Sequence, residues 1–284
     1  MSSTAPTPLA AGRGNAEPPA SWALRRGAVN ALVALWAPVL FVVIWYAASA
    51  QSASPYFPPL SRVLAIIPRD FVHGPHFVGH VLPSLGVVLA GMAIATVVGV
   101  IGGYLIALNR FALDVTRPLI DAFRSVPAVA LIPVAVVLLG PGQRSEIALV
   151  SLSALWPILL NTIAGVSGIE PTYWQVARMC RLSAWDRFWR VSLPAAAPAI
   201  MAGIHTSLAL AVIVMVTMEM FSSTEGLGRY LMNAQRSFAI PVSYAGAIVV
   251  GIMGYGLSVA FTAAERVVLR WYFVRQGVFH ARDR

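Results

Sequence analysis

One carboxylate lies where an ionised group is costly. Glu219 directly follows a long apolar stretch, 191–218, whose only ionisable residue is His205. An ionised carboxylate buried among apolar residues must be paired or hydrogen-bonded, so we predict a functional role for Glu219. The alternatives are a carboxylate solvated near the membrane surface, or an ion pair with a cation of this chain or of a second subunit, for which Arg229 and Arg236 are the nearest candidates in sequence. Glu225 is a further acidic candidate nearby. For His205 a hydrogen-bonded packing role is favoured over contact with a ligand.

Three histidines have a spacing that would suit a metal ion. His73, His76 and His80 are three and four residues apart, as zinc ligands on one helix would be. Gly74 and Pro75 interrupt any helix at this point, so we predict no metal site.

Several further kinds of chemistry are excluded by missing residues. The segment Gly165-Val-Ser-Gly168 has the spacing around the nucleophile of an intramembrane serine protease, but the last apolar stretch, 237–264, lacks the required histidine. All 20 basic residues are Arg, so the chain lacks the Lys of a Walker A phosphate loop. The single Cys180 excludes an intrachain disulfide and a multi-cysteine metal site. We therefore predict no catalytic residues and no cofactor.

The elements that must position these residues are membrane-spanning helices. Hydrophobic residues make up 58% of the 284 residues and charged residues only 11%, against about 25% charged in a soluble domain. Six stretches are long and apolar enough to span a bilayer, and in lipid such spans must be helical. They are 28–50, 81–108, 125–142 extended back through 117–124, 147–169, 191–218 and 237–264. We predict an all-α, polytopic membrane protein with six spans.

The arginines between the spans predict the orientation. With the N-terminus in the cytoplasm, 15 arginines lie inside and 5 outside, which is the distribution expected of cytoplasmic loops. Both termini are then cytoplasmic, with Arg187 inside and Arg229 outside. The net charge of +9 reflects this orientation rather than binding to nucleic acid.

The chain divides into a core and two tails. Residues 1–21 are rich in Ala, Pro, Ser and Gly and are predicted to form a disordered cytoplasmic tail. The first span, 28–50, is followed by an outer segment with an amphipathic run, 61–71. The transmembrane core is predicted at 80–268, with a cytoplasmic loop at 170–193 and a cytoplasmic tail at 269–284. Gly99 and Gly103, together with Gly251, Gly254 and Gly256 in the last span, predict close helix packing.

The loop 170–193 mixes arginines with tryptophans. Thr172 with Gln175, and Ser183 with Asp186, are spaced as capping boxes and predict helices at 173–181 and 184–192. Arg and aromatic side chains on such helices suit either an interfacial hairpin on anionic lipid or a docking element for a cytosolic partner.

This loop resembles a known motif. The residues from Gln175 to Pro194 resemble the EAA loop of binding-protein-dependent ABC importer permeases, in which a Gly normally forms the turn. Matching or commonly seen residues occur at Ala177, Arg178, Trp185, Phe188, Arg190, Val191, Leu193 and Pro194. Gln175 replaces the usual Glu and Arg181 the usual Gly, so Arg181 is expected in a left-handed conformation that costs about 1 kcal/mol.

Three other segments resemble the branch of permeases for nitrate, sulfonate, taurine and related small anions. They are 122–133, 156–162 and Glu225-Gly-Leu-Gly228 with Ala234-Gln235. The resemblance implies a type I ABC importer permease fold, in which two permease copies form the pore, here as a homodimer in the bacterial inner membrane. Cytosolic ATPases bind the loops, and an external solute-binding protein delivers the substrate. Glu219, His205 and Glu225 become candidates for gating or translocation. The alternative is an ion-coupled secondary carrier that uses Glu219 and His205.

Overall fold

The computed structural model describes residues 36–37, 39–52, 54–72, 74–270 and 272, and every regular element within them is helical. Outside the described residues lie the predicted tail at 1–21, most of the predicted tail at 269–284, and the start of the first predicted span at 28–35. The helices are α1 (Val39–Ser49), α2 (Leu60–Ile67), α3 (Leu82–Ala107), α4 (Arg110–Arg124), α5 (Ile132–Leu139), α6 (Gln143–Ser167), α7 (Pro171–Met179), α8 (Ala184–Arg187), α9 (Leu193–Ser222), α10 (Leu227–Arg236) and α11 (Ile240–Val268).

Three long helices, α3, α6 and α9, form the centre of the molecule and pack against one another. Their shared core contains Val88, Val150, Ala154, Ala211 and Met215, all fully buried. The predicted close packing of the glycines in α3 is confirmed. A Cβ on Gly99 would lie only 2.9 Å from the Ile158 side chain, so α3 and α6 approach each other closely at this point. In α11 the prediction is wrong for this chain by itself, since Gly251 and Gly256 face open space.

The number of spans is lower than the six predicted when only unbroken helices are counted. Four helices of the described chain are long and apolar enough to cross a membrane, namely Phe77–Ala107, Gln143–Ser167, Ala184–Ser222 and Ile240–Val268. A fifth span exists if α4 and the segment that follows it are taken together. The apolar helix α1 is shorter within the described residues, which begin after the start of the first predicted span.

The third predicted span is bent rather than straight. The amphipathic helix α4 ends at Arg124, and the chain resumes as a 3-10 turn, Ala128–Leu131, followed by α5. The two halves meet at an angle of 77°. Pro127 explains the break, because proline disfavours the helical conformation at the residue before it and removes a backbone donor. The third predicted span therefore consists of two helices, the amphipathic α4 and the apolar α5, which meet at this bend.

The loop 170–193 contains two helices, as predicted, with corrected ends. One capping box is wrong, since α7 begins at Pro171 with Glu170 as its N-cap and Thr172 already lies within the helix. The other is confirmed, because the Ser183 hydroxyl accepts a hydrogen bond from the Asp186 amide at 3.1 Å. Arg181 has the expected left-handed backbone, with φ at 50°. The second helix continues through a π-helical turn, Phe188–Ser192, into α9, so Ala184–Ser222 forms one long helix.

The opposite end of the core is covered by short helices. α2 continues into a π-helical turn, Pro68–Val72, and a second π turn, Phe77–Val81, leads into α3. The segment between α9 and α11 contains α10, which packs against both of those helices. Half of the residues of α10 are buried, including Leu227, Tyr230 and Leu231. It therefore forms part of the core rather than a free loop.

Candidate functional site

Glu219 is held in a built site at the end of α9. Its side chain is only 1% exposed. The Ser84 hydroxyl from α3 lies 2.7 Å from Oε1 and 2.9 Å from Oε2, and the Gly228 amide donates to Oε2 at 2.8 Å. The Ser84 oxygen in turn accepts the Leu227 amide at 2.9 Å. We call Ser84, Glu219 and the backbone of 226–228 the outer clasp.

The outer clasp uses the positive end of α10. The first amides of a helix lack partners within the helix and carry a partial positive charge. Leu227 and Gly228 are the first two residues of α10, and their amides point at Ser84 and Glu219 respectively. The buried carboxylate therefore replaces the missing helix acceptors, and the clasp joins α3, α9 and α10.

Two glycines allow this approach. Gly226 has φ at 97°, a conformation that L side chains rarely adopt, and any Cβ there would overlap the Glu219 carboxylate. A Cβ on Gly228 would lie 2.6 Å from Cβ of Glu219 and would meet the Val216 carbonyl. In the segment Glu225-Gly-Leu-Gly228, both glycines are therefore required for the close approach of this backbone to Glu219.

Within this chain, Glu219 forms no ion pair with Arg229 or Arg236 among the described residues. Within the part of the chain that the structure describes, the ion pairs are Arg69–Asp70, Arg124–Asp121 and Arg190–Asp186. Glu225 is exposed and lies outside the clasp, with its amide bonded to the Ser223 hydroxyl at 3.2 Å. A hydroxyl and backbone amides balance Glu219, because they reach the carboxylate at hydrogen-bond distance and the arginines do not.

Sequence reasoning missed a second buried carboxylate. Glu146, in the first turn of α6, is 1% exposed and lies near the Ser223 hydroxyl and near enough to Glu219 for their charges to interact. Its Oε1 atom has no hydrogen-bond partner among the described residues. The signal was present in the sequence, since Glu146 immediately precedes a predicted span that was taken to begin at 147.

His205 and Glu219 do not meet. His205 Nε2 lies 3.2 Å from the Ser258 hydroxyl, and the ring contacts Phe261 with centroids 5.6 Å apart. This is the hydrogen-bonded packing role that the sequence favoured, on a side chain that is exposed in the single chain. The two residues are 14 positions apart on one helix, or about 21 Å at the rise of an α-helix. A direct proton relay between them, as the secondary-carrier alternative would use, therefore has no geometric basis here.

The histidines of the outer segment pack with Tyr230 instead of converging on a metal ion. The rings of His76 and His80 stack with centroids 5.2 Å apart, while His73 lies outside the described residues. No group of three potential metal ligands occurs in the described ranges. The Tyr230 hydroxyl donates to Asp70 at 2.8 Å, and burial together with this acceptor raises the pKa of Tyr230. Burial raises the pKa of Asp70, but hydrogen bonds from Tyr230 and Arg69 outweigh it, and the net shift is downward.

A cavity of about 1030 Å³ lies at the bend between α4 and α5. It is bounded by the bend, by the middle of α6 and by 210–214 of α9. Among the described residues that line it, Arg124 is the only basic one, and its Nε forms an ion pair with Asp121 Oδ1 at 3.0 Å. Neither Nη atom of Arg124 has a hydrogen-bond partner in the described part of the chain. Ser125, Ser153 and Asn161 add polar groups to an otherwise largely apolar wall.

The loop 170–193 is fixed to the core on one side and free on the other. Trp174 and Leu193 pack on a cluster formed by Val166, Ile169 and Ile200, and Phe188 contacts Tyr104 edge-on at 4.7 Å. Trp185 is 70% exposed and Met179 83% exposed. The structure therefore presents an apolar, aromatic surface away from the spans.

The individual loop residues of the predicted docking element differ in exposure. Gln175, Arg178 and Arg181 are exposed, Arg190 is exposed and paired with Asp186 at 3.1 Å, and Leu193 and Pro194 are half-buried. Ala177 is only 2% exposed within this single chain. A larger side chain at this position would disturb the packing of the loop itself, so its effect on partner binding could not be separated from an effect on folding.

Fold and site define a polytopic helical membrane protein with an exposed aromatic loop at one end, a buried clasp at the other and a largely apolar cavity between helices. Residues 95–273 match the family model described as "Binding-protein-dependent transport system inner membrane component". The chain belongs to this family, the permease subunits of ABC importers.

Curated relatives extend over most of the chain. The taurine transport system permease protein TauC of Escherichia coli K12 is 28% identical over 82% of this chain and 87% of its own. The nitrate import permease protein NrtB of Synechocystis is 31% identical over 66% of this chain and 69% of its own. The bicarbonate transport system permease protein CmpB of Synechococcus elongatus is 28% identical over 81% and 86% respectively.

Among solved structures, the chain is similar in fold to the MetNI methionine ABC transporter in an inward-facing conformation. The TM-score is 0.56 at 18% identity, over 66% of this chain and 94% of the matched chain. This similarity supports the type I importer fold that the sequence predicted.

Proposed function

We propose that this chain forms the translocation pathway of an ATP-driven importer for a small anion such as a sulfonate, taurine, nitrate or bicarbonate. Relatives that carry the names of transporters for these solutes support the substrate class. Separate cytosolic ATPases bind the loop 170–193, an external solute-binding protein delivers the anion, and a second copy of the chain completes the pore. Both termini lie in the cytoplasm of a bacterium, and the chain itself hydrolyses nothing.

One observation supports mechanical coupling between the loop 170–193 and the outer clasp. A single helix, Ala184–Ser222, begins in the loop at the exposed Trp185 and ends at Glu219 in the outer clasp. At 1.5 Å per residue its 39 residues span about 58 Å. A displacement imposed on the loop by a closing ATPase pair is therefore delivered to the outer clasp by one continuous element. Opening of the clasp releases α10 from α3 and α9.

The cavity at the bend between α4 and α5 supports the proposal that the substrate is an anion. Arg124 lines the cavity, its Nε forms an ion pair with Asp121, and its Nη atoms have no partner among the described residues, so they are available to an anion in the cavity. A planar guanidinium binds carboxylate, sulfonate or nitrate oxygens through parallel N–H donors. The site lies at a break between two half-helices, where transporters commonly bind their substrates.

The experiment is reconstitution into proteoliposomes with the ATPase and the binding protein encoded beside the gene. We expect ATP-dependent uptake of at least one radiolabelled solute among taurine, an alkanesulfonate, nitrate and bicarbonate. Arg124→Gln should reduce uptake about tenfold or more, since a charge-assisted hydrogen bond contributes about 1.5–3 kcal/mol. Arg117→Gln, on the same helix and exposed, is the matched control. Uptake driven by an ion gradient without ATP would overturn the proposal.

A further inference from the structure

A second cavity, of about 540 Å³, lies where the loop 170–193 meets the ends of the spans. Its walls come from the end of α3, the start of α4, the end of α6 and the two loop helices. Three of its nine lining residues are arginines, and none is acidic. The lining consists of Ala107, Leu108, Arg110, Leu113, Val166, Ser167, Trp174, Arg178 and Arg187.

The charge of these arginines is not balanced by the protein. No hydrogen bond or ion pair to the guanidinium of Arg110, Arg178 or Arg187 is formed within the described ranges. Asp114, one turn along α4 from Arg110, forms no ion pair there either. Three like charges facing one cavity repel one another. Arg110 is also the first residue of α4, so the positive end of that helix adds to the same potential.

The surroundings of the cavity favour a lipid over a soluble anion. Leu108 is 50% exposed and Phe111 75% exposed, on either side of Arg110. These residues lie at the end of an apolar span and at the start of an amphipathic helix, which is the level of a membrane surface. The apolar side chains at this position can contact the acyl chains of a phospholipid, and the arginines can bind its phosphate group. In the proposed topology this is the cytoplasmic surface, where anionic lipids bind basic pockets between helices.

We infer that this cavity binds the phosphate headgroup of an anionic phospholipid. The bound phosphate bridges Arg110 of the membrane core with Arg178 and Arg187 of the loop. It thereby relieves the repulsion among them and holds the loop against the spans. The test uses the purified chain without solute or partner proteins, so its outcome does not depend on the proposed transport function.

The test measures lipid binding by the purified full chain in detergent. Native mass spectrometry counts bound dioctanoyl phosphatidylglycerol, with dioctanoyl phosphatidylcholine as the zwitterionic control and inorganic phosphate as competitor. We expect retention of phosphatidylglycerol over phosphatidylcholine. The variant Arg110→Gln/Arg187→Gln should lower the affinity for phosphatidylglycerol about thirtyfold, from the usual contribution of two basic side chains near an anionic surface. Arg117→Gln/Arg266→Gln, at two exposed positions outside the cavity, should leave it unchanged.

Three outcomes would overturn the inference. Equal binding of phosphatidylglycerol and phosphatidylcholine by the wild type would contradict it without any variant. Equal losses in the two double variants would indicate a general charge effect rather than a site. Displacement of phosphatidylglycerol by inorganic phosphate at equal concentration would assign the cavity to a free oxyanion instead of a lipid. Size-exclusion elution of both variants at the wild-type volume controls for misfolding.

Discussion

The Ser84 hydroxyl lies 2.7 Å from the Glu219 carboxylate, although the two residues are 135 positions apart. Ser84 is on the second of the long apolar stretches and Glu219 at the end of the fifth. Both side chains are buried, and the same hydroxyl oxygen receives the first amide of α10. This contact connects three helices at one point and adds to the packing that holds α10 on the core.

Replacing Glu219 with Gln should weaken the outer clasp without dismantling it. The amide keeps the size of the side chain but removes the charge, and a charge-assisted hydrogen bond is roughly twice as strong as a neutral one. We expect normal assembly with the ATPase, the same choice of substrate, and an altered ATPase stimulation by the binding protein. Glu225→Gln, at an exposed position outside the clasp, serves as control. Wild-type stimulation in Glu219→Gln would exclude a gating role.

Removing the Ser84 hydroxyl should destabilise the fold. Ser84→Ala deprives Glu219 of a partner and leaves the buried Leu227 amide without an acceptor, which costs about 1–3 kcal/mol. A lowered midpoint of thermal unfolding in detergent is the measurement. Ser151→Ala is the matched variant, because that hydroxyl bonds only the Ala148 carbonyl of its own helix, at 2.8 Å. Equal midpoints for the two variants would count against the clasp.

Gly226 should tolerate no side chain, whereas a glycine of α11 should. Gly226→Ala combines a left-handed backbone with a Cβ that overlaps the Glu219 carboxylate, and such strain costs on the order of 1–3 kcal/mol. Gly251→Ala places its Cβ in open space and improves helix propensity. We expect poor yield or a reduced midpoint of unfolding only for Gly226→Ala. The reverse order would contradict the geometry of the loop.

Two exposed positions test the orientation. In a Cys180→Ser background, Met179→Cys lies in the loop 170–193 and Phe238→Cys lies between α10 and α11, and the native side chains are 83% and 78% exposed. The distribution of arginines predicts that a membrane-impermeant thiol reagent labels only position 238 in intact cells. Both positions should react after the cells are opened. Preferential labelling of position 179 in intact cells would invert the proposed topology.

The exposed tryptophan of the loop should be needed for ATPase binding. Large aromatic side chains at the centre of an interface typically contribute 2 kcal/mol or more, roughly a thirtyfold change in affinity. Trp185→Ala should therefore reduce co-purification of the ATPase. Trp36→Ala, which alters a tryptophan with 60% exposure on the first apolar segment, should not. Ala177 is a poorer choice for this test because it is buried within the permease. Full recovery of ATPase with Trp185→Ala would contradict docking at this loop.

Several features could be predicted because their causes are local in the sequence. A run of about 20 apolar residues is enough to indicate a spanning helix, and the long helices that contain α3, α6, α9 and α11 were all placed in this way. Ser183 and Asp186 cap a helix three residues apart, and Arg181 turns the chain in a left-handed conformation. The break at Pro127 was also a local signal, but the continuous apolar composition around it concealed the bend.

The remaining features depend on contacts between distant segments. Sequence alone placed Glu219 near the end of a span and proposed arginines as its partners, since it could not show that Ser84 and the amides of α10 approach from other helices. Glu146 lies beside Glu219, and the arginines at positions 110, 178 and 187 surround one cavity, only because α3, α4, α6 and the loop pack together. Hydropathy determines which segments enter the membrane. The choice of partner for each buried polar group is made by packing, because a hydrogen bond requires atoms within about 3 Å.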